Sequence, residues 1–133
     1  MRDEKKIKVV LLEPFRPART AEIDASLEGM QKIVGGLIEP FYPFEEEVCI
    51  VCNDEGKING MPLNRAVYGE DKKMIDIIAG PAFICDCRGD SFDSLSDEQI
   101  ARYKKQFRYP EIFLRDGDEI KAFFVKPDRD YER

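Results

Sequence analysis

The sequence contains no histidine and no tryptophan among its 133 residues. Without histidine, the chain has no imidazole to act as a general base, to complete a catalytic triad or to bind a metal ion. It also lacks any run of about 20 apolar residues, which is the length that a membrane-spanning helix requires. The apolar run near the amino terminus, at residues 9–12, is too short for the core of a secretory signal. We therefore expect a soluble, cytoplasmic protein.

The charge balance also lacks any excess of basic residues. The chain has 27 acidic and 21 basic residues and a formal net charge of -6, so it shows no strong signal for nucleic-acid or membrane binding. The locally basic loop at residues 13–19 is expected to be a solvated connector. With 43% hydrophobic residues, this length fits one domain with a substantial core. We predict a single domain at residues 1–127 and a frayed tail at residues 128–133.

The four cysteines, Cys49, Cys52, Cys85 and Cys87, include one C-x-x-C pair. Residues three apart in a strand point to opposite faces of the sheet, and the two residues inside this pair are bulky and β-branched. That arrangement is unsuited to a zinc site. Neither phosphate-binding glycine motif occurs in the sequence. We predict reduced core thiols, with no metal and no cofactor.

Hydrophobic periodicity predicts an α+β domain of the order β-α-β-β-β-β-α-β-β, with two helices packed on a mixed or mainly antiparallel sheet. A first strand is expected at residues 6–12. A helix is expected from residue 20 to residue 34, where apolar residues recur at helical spacing before a pair of glycines. Residues 37–44 should form an edge strand or a strand that ends early, because the segment contains two prolines.

The carboxy-terminal half has clearer local signals. A long strand is expected at residues 74–87, with a bulge or bend at its Gly-Pro step. Ser96 and Gln99 form a capping box, which predicts a helix from residue 96 to residue 107. An Asp-Gly pair at residues 116–117 predicts a C-terminal hairpin at about residues 111–125.

The central stretch, residues 48–67, has the sequence VCIVCNDEGKINGMPLNRAV. Its first five residues are apolar on both alternating faces, as in a buried central strand. The following Asn-Asp-Glu-Gly favours a chain reversal, so we expect a hairpin that returns along residues 57–60. Because Pro62 cannot donate to a strand ladder, Asn64 and Arg65 are expected on a loop near the hairpin tip.

The candidate binding residues lie at this tip or in the aromatic run before the central strand. They are Asn53, Asp54, Asn64, Arg65, Phe41 and Tyr42. Amide and guanidinium donors on loops at the end of a rigid hairpin are typical of a binding site. The structural alternative is that asparagine occupies a left-handed corner and arginine ties down backbone carbonyls. No catalytic residue is predicted.

Four blocks of the sequence resemble the domain-of-unknown-function family 3846. They are EIDASLEGMQKIVGGLIEPFYPF, VCNDEGKINGMPLNRAV, DIIAGPAFI and SLSDEQIARYKKQF. The resemblance covers about residues 8–107 and is most specific in C-N-x-E-G-K followed by P-L-N-R. This family is common on phages, plasmids and conjugative elements of Gram-positive bacteria. The resemblance implies an origin on a mobile element or in a gut-type bacterium, a cytoplasmic setting and no known activity. The C-terminal hairpin lies outside the resemblance.

Three functions remain open from the sequence. The first is a non-enzymatic accessory or interaction protein that binds a protein partner through the hairpin tip and the aromatic run. The second is an acidic decoy that mimics DNA to block restriction or a nuclease, for which a charge of -6 is modest. The third is a small anionic-ligand binder or enzyme that uses Asn53, Asn64 and Arg65, with the arginine clamping a carboxylate or phosphate.

Overall fold

The computed structural model describes residues 5–126, which form an α+β structure with two helices and nine strands. The predicted fold class is confirmed, whereas the tail predicted at residues 128–133 lies outside the described residues. In chain order the elements are β1 (Lys6–Leu12), β2 (Arg19–Asp24), α1 (Leu27–Val34), β3 (Ile38–Phe41), β4 (Val48–Asn53), β5 (Leu63–Tyr68), β6 (Met74–Ala79), β7 (Ala82–Asp86), α2 (Asp97–Gln106), β8 (Glu111–Asp116) and β9 (Glu119–Phe124).

A five-stranded sheet of order β2-β1-β7-β4-β3 forms the centre of the structure, and every neighbouring pair is antiparallel. Strand β4 is buried along its whole length. Its Cys49 and Val51 face the core under α1, and its Ile50 and Cys52 face the core under α2. The continuous apolar run at residues 48–52 is therefore explained by a helix on each face of the sheet.

Two smaller sheets complete the fold. The β5-β6 hairpin packs on the α2 side, where Val67 and Ile78 join the core that contains Ile100 and Phe107 of the α2 region. The β8-β9 hairpin lies next to β5. The chain passes from β6 to β7 at Gly80, whose φ of 81° allows the abrupt change of direction between two sheets. The predicted interruption at the Gly-Pro step is confirmed, but the single long strand predicted at residues 74–87 is wrong, because β6 and β7 belong to different sheets.

The predicted start of α2 and the predicted end of α1 are both confirmed. Ser96 accepts from the backbone N–H of Gln99, and the Gln99 side chain accepts from the backbone N–H of Ser96, so the capping box is complete. At the end of α1, Gly35 adopts a left-handed conformation with φ 83°. Neither helix within residues 5–126 is long and apolar enough to cross a membrane.

The predicted start of the first helix, at residue 20, is too early. It begins at Leu27, because residues 19–24 instead form β2 and pair with β1 from Leu11 opposite Arg19 to Lys6 opposite Asp24. The side chain of Ser26 then caps the helix by accepting from the backbone N–H of Gly29. The apolar residues that recur at helical spacing therefore belong to two elements, β2 and α1, with the cap between them.

The predicted central hairpin is wrong. Strand β4 already has β3 on one edge and β7 on the other, so no edge remains for a return strand at residues 57–60. Those residues form successive turns, in which the Asn59 N–H donates to Glu55 O and the Met61 N–H donates to Gly56 O. Pro62 lies just before β5, and Asn64 and Arg65 lie within that strand rather than on a loop.

Candidate functional site

A groove of about 250 Å³ opens between the edge strand β3 and strand β6, beside the turn that follows β4. We call it the edge groove. Its apolar lining includes Phe41, Cys52, Ile77 and Ile78, and its charged rim includes Glu39, Asp54, Lys57 and Asp76. An apolar floor with a few charged groups around it is the usual composition of a binding pocket.

Asn53 holds the turn that forms one wall of the edge groove. Its side chain is 7% exposed, donates to Val34 O at the end of α1 at 3.0 Å and accepts from the backbone N–H of Glu55 at 2.7 Å. The turn also lies very close to β6, since a Cβ added to Gly56 would be 2.6 Å from the carbonyl oxygen of Ala79. The wall is therefore built into the fold and does not depend on a ligand.

The rim of the edge groove carries an excess of negative charge. Partial removal from water, followed by the neighbouring carboxyl group of Asp54, raises the pKa of Glu39. The single ammonium group on the rim, that of Lys57, binds the carboxylate of Asp76. A cation that entered the groove would meet carboxylates that one lysine does not neutralise.

The thiol at the base of the groove is not an activated nucleophile. Cys52 is buried, and its Sγ donates to Glu39 O at 3.4 Å. Burial, followed by the charge of Glu39, raises the pKa of Cys52 to about 11. At neutral pH the thiol is protonated, and a thiol without its thiolate form is a poor nucleophile.

The structure brings only part of the predicted site together. Phe41, Asn53 and Asp54 line the edge groove. Tyr42 is 62% exposed and does not line it, so the aromatic run is split between two surfaces. Asn53 itself is occupied by contacts within the chain.

Asn64 and Arg65 do not lie at the surface, which corrects the expectation that they sit on a loop. Both are 0% exposed. The Asn64 amide nitrogen donates to Leu12 O and Gly80 O, each at 2.9 Å. A partner cannot reach these side chains in the folded structure, so they form no part of the site proposed below.

The guanidinium of Arg65 is used entirely inside the molecule. It donates from Nε to Phe107 O at 3.1 Å, from Nη2 to Arg16 O at 2.7 Å and from Nη1 to Glu13 O at 3.3 Å and Asn64 Oδ1 at 2.8 Å. Burial lowers the pKa of Arg65, while the charge of Glu111 opposes that shift. The structural alternative, an arginine that ties down carbonyls, is therefore the correct one.

Sequence reasoning missed the charged rim residues Glu39, Lys57 and Asp76. Asp76 had a recognisable signal, because it is the single charged residue of the strand sequence MIDIIA. Glu39 and Lys57 had none, since an acid beside a proline and a lysine in a turn are ordinary surface residues. Their proximity depends on how β3 and β6 meet, which no local pattern shows.

A second, wider groove of about 750 Å³ lies between α2 and residues 43–46. Its central carboxylate, Glu46, accepts from the Tyr103 hydroxyl at 2.5 Å and from both Gln99 and Arg102. The Tyr103 hydrogen bond is the main cause that lowers the pKa of Glu46. Since Glu46 is already bound by three side chains of α2, we interpret it as the anchor of this segment on the helix.

The cysteines follow the predicted geometry. Cys49 and Cys52 lie in the cores on opposite sides of the sheet. The Sγ atoms of Cys49 and Cys85 are 3.9 Å apart, and this contact, followed by burial, raises the pKa of Cys49 far above its usual range. Within residues 5–126, no three cysteine, aspartate or glutamate side chains are grouped as a metal site.

Comparison with known proteins gives one match. A family model described as a domain of unknown function, DUF3846, matches residues 7–108. No curated protein and no solved structure matches the chain. The sequence resemblance over about residues 8–107 is thus confirmed, and β8 and β9 lie beyond the matched residues.

Proposed function

The chain belongs to the DUF3846 family of domains of unknown function, and on that premise we propose that it is a non-enzymatic interaction protein. Its partner is a protein that inserts a lysine or arginine side chain of an extended segment into the edge groove. The observation that carries this proposal is the combination of an apolar floor with a rim of carboxylates in one preformed groove.

The size and chemistry of the groove favour a basic side chain. About 250 Å³ is below the usual 300–1,000 Å³ of a site for a whole small molecule, so one long side chain is the better fit. Lysine and arginine have an apolar stem and a charged head. The stem can lie against Phe41 and Ile78, while the head meets Glu39 and Asp54 on the rim.

The position of the groove favours an extended partner segment. Strand β3 has β4 on one side only, so its other edge is free among the described residues. Peptides that add along a sheet edge obtain affinity from the main chain and specificity from pockets for alternate side chains. Pro40 removes one donor from this edge, which limits such pairing to the remainder of the short strand.

The other functions suggested by the sequence have less support. The anionic-ligand function required Asn64 and Arg65 at the surface, and both are fully buried. The DNA-mimic function rests on the modest net charge of -6 and on the mobile-element setting that the family resemblance implies. An accessory role on a phage, plasmid or conjugative element follows from the family resemblance and stays a prediction.

Peptide selection tests the proposal directly. We expect that a displayed library of random peptides, selected against the purified protein, becomes enriched in peptides with a lysine or arginine at one fixed position. The affinity of a selected peptide, measured by isothermal titration calorimetry, should fall about tenfold in Glu39→Gln/Asp54→Asn, because hydrogen bonds to charged groups contribute about 1.5–3 kcal/mol.

The matched control is Asp90→Asn/Glu119→Gln, which makes the same change of charge at two exposed positions that do not line the edge groove. It should leave the affinity unchanged. Enrichment of acidic or purely apolar peptides would contradict the proposal, as would equal loss of affinity in the two double variants.

A further inference from the structure

The loop that connects β1 to β2 presents an exposed aromatic ring in an unusual backbone conformation. Phe15 has a φ of 67°, in the left-handed region that bulky residues rarely adopt, and it is 65% exposed. Backbone strain of this kind costs free energy and persists where the surrounding structure enforces it. The strain here does not serve to bury the ring.

The buried Arg65 enforces this conformation. Its guanidinium binds the carbonyls of Glu13 and Arg16, which flank Phe15, and the carbonyl of Phe107 at the end of α2. The backbone N–H of Ala18 also donates to Arg108 O at 3.1 Å. The loop and the residues that follow α2 are therefore fixed against each other.

Two basic residues and two aromatic rings are clustered beside this loop. The Arg108 guanidinium lies 5.2 Å and the Lys126 ammonium 5.6 Å from the centre of the Tyr109 ring, and the Phe124 ring centre lies 6.5 Å from that of Tyr109. We call this surface the aromatic-basic face. It consists of the cluster Arg108, Tyr109, Phe124 and Lys126, together with Phe15 and Arg16 of the loop that the Ala18–Arg108 backbone bond holds beside it.

The cations of this face form no ion pair with an acid among residues 5–126. Arg16, Arg108 and Lys126 are exposed. Among the described residues, the face therefore presents three unpaired cations on a chain whose net charge is -6.

We propose that the aromatic-basic face binds single-stranded nucleic acid. Proteins that bind single strands without sequence preference combine a positive surface that follows the phosphates with aromatic rings on which bases stack. Arg16, Arg108 and Lys126 supply the charge, and the exposed rings of Phe15 and Phe124 supply stacking surfaces. This inference is independent of the edge groove and of the interaction proposed there.

The rings distinguish this partner from an acidic protein segment. An acidic peptide would need only the three cations, whereas a base offers a flat π-face to an exposed phenyl ring. A duplex keeps its bases stacked inside and would contact the cations alone. The enforced exposure of Phe15 is therefore best explained by unpaired bases.

Fluorescence anisotropy with a labelled oligothymidylate of about 20 nucleotides tests the inference. We expect binding at about 50 mM salt, with a slope of log K against log salt of about -2, since each phosphate contact to a single strand contributes about -0.7. In Arg16→Gln/Arg108→Gln/Lys126→Gln the affinity should fall and the slope should approach zero. Phe15→Leu should weaken binding about tenfold and leave the slope unchanged.

The control Lys6→Gln/Lys32→Gln/Lys73→Gln removes three exposed charges elsewhere and should change neither the affinity nor the slope. Absence of binding at about 50 mM salt would overturn the inference, as would equal losses in the two triple variants. Oligoglutamate of the same length should displace the labelled oligothymidylate poorly. If it displaces the label as well as unlabelled oligothymidylate does, the partner is an acidic protein segment and the inference is wrong. If the protein binds a duplex as tightly as the single strand, and Phe15→Leu does not change the affinity, the face contacts phosphates only and the inference is wrong.

Discussion

Arg65 is fully buried, yet no carboxylate of the described residues forms an ion pair with it. Its donors are distributed over carbonyls from the β1-β2 loop and the end of α2, and over the Asn64 side chain. A buried charge is costly unless its hydrogen bonds are satisfied. The network explains why an arginine is tolerated here, and it makes Arg65 the residue that joins three segments distant in sequence.

We predict that Arg65→Ala lowers the free energy of unfolding by about 3–5 kcal/mol, because it leaves buried carbonyl oxygens without donors and opens a cavity. The matched control is Arg102→Ala. Arg102 pairs with Glu46 at 3.2 Å but is half exposed, so its loss should cost at most about 1 kcal/mol. Urea denaturation of both variants gives the comparison. Similar losses in the two variants would contradict the role assigned to Arg65.

At the scale of elements, the start of α2 depends on one hydroxyl. The Ser96 Oγ accepts from the Gln99 N–H at 3.1 Å. We predict that Ser96→Ala lowers the free energy of unfolding by about 1 kcal/mol, the usual cost of losing an N-cap. Ser91→Ala, at an exposed position outside any helix or strand, should change the unfolding midpoint little. A Ser96→Ala protein with the wild-type midpoint would mean that the capping box does not limit stability.

The turn that forms the wall of the edge groove depends on a glycine. A Cβ at position 56 would lie 2.6 Å from the backbone oxygen of Ala79, which cannot move without displacing β6. We predict that Gly56→Ala costs about 1–3 kcal/mol of stability and weakens binding of a selected peptide. Gly89→Ala should do neither, because its nearest atom would lie 4.0 Å away. Thermal denaturation and calorimetry measure the two effects, and an unaffected Gly56→Ala protein would show that the turn can shift freely.

Elements with strong local signals were predictable from the sequence. β1 matches the predicted range of residues 6–12, and the capping box and the Asp-Gly turn mark α2 and the β8-β9 hairpin. Each of these signals acts within a few residues, through a side chain that satisfies a nearby backbone group or through a preferred turn. Such effects do not depend on the remainder of the fold.

Elements whose conformation is decided by distant partners were not predictable in this way. Ile23 and Leu27 fit a helical stripe, but pairing with β1 makes Ile23 part of a strand. Asn64 and Arg65 follow a proline and looked exposed, but β5 pairs with β6 and carries both into the interior. Tertiary contacts outweigh local propensity in each case.

The candidate site was predictable only in part for the same reason. Asp54 and Phe41 could be selected as a polar turn residue and an aromatic at a sheet edge, and both line the edge groove. The rim residues Glu39 and Asp76 come from strands of different sheets. Their meeting depends on the crossover at Gly80, which moves the chain from one sheet to the other.

At the scale of the whole molecule, both proposed surfaces lie at one end of the central sheet. β1 and β4 run in the same direction because each is antiparallel to β7, which lies between them. The aromatic-basic face begins in the loop after β1, and the edge groove begins in the turn after β4. Asn64 binds the carbonyls of Leu12 and Gly80 between these two segments. The buried amide thus supports the shared end of the sheet.

Glu111, at the start of the C-terminal hairpin, links that hairpin to the rest of the molecule. It is 4% exposed, and its Oε1 accepts from the backbone N–H of Ala66 in β5 at 3.1 Å. Burial raises the pKa of Glu111, and the Ala66 hydrogen bond and the charge of Arg65 only partly oppose that shift. The folded protein therefore retains this proton at a higher pH than the unfolded chain does.

This pKa shift predicts how Glu111→Gln changes the dependence of stability on pH. The contribution of Glu111 is fully present below its unfolded pKa and is lost as the pH rises through the higher folded pKa, with a slope of at most about 1.4 kcal/mol per pH unit for one proton. The amide cannot ionise, so the stability of Glu111→Gln relative to wild type should improve from about pH 4 towards neutral pH. Urea denaturation across that range measures the difference, with the exposed Glu119→Gln as a control that should stay parallel to wild type. Parallel curves for Glu111→Gln and wild type would show that burial does not perturb this carboxyl group.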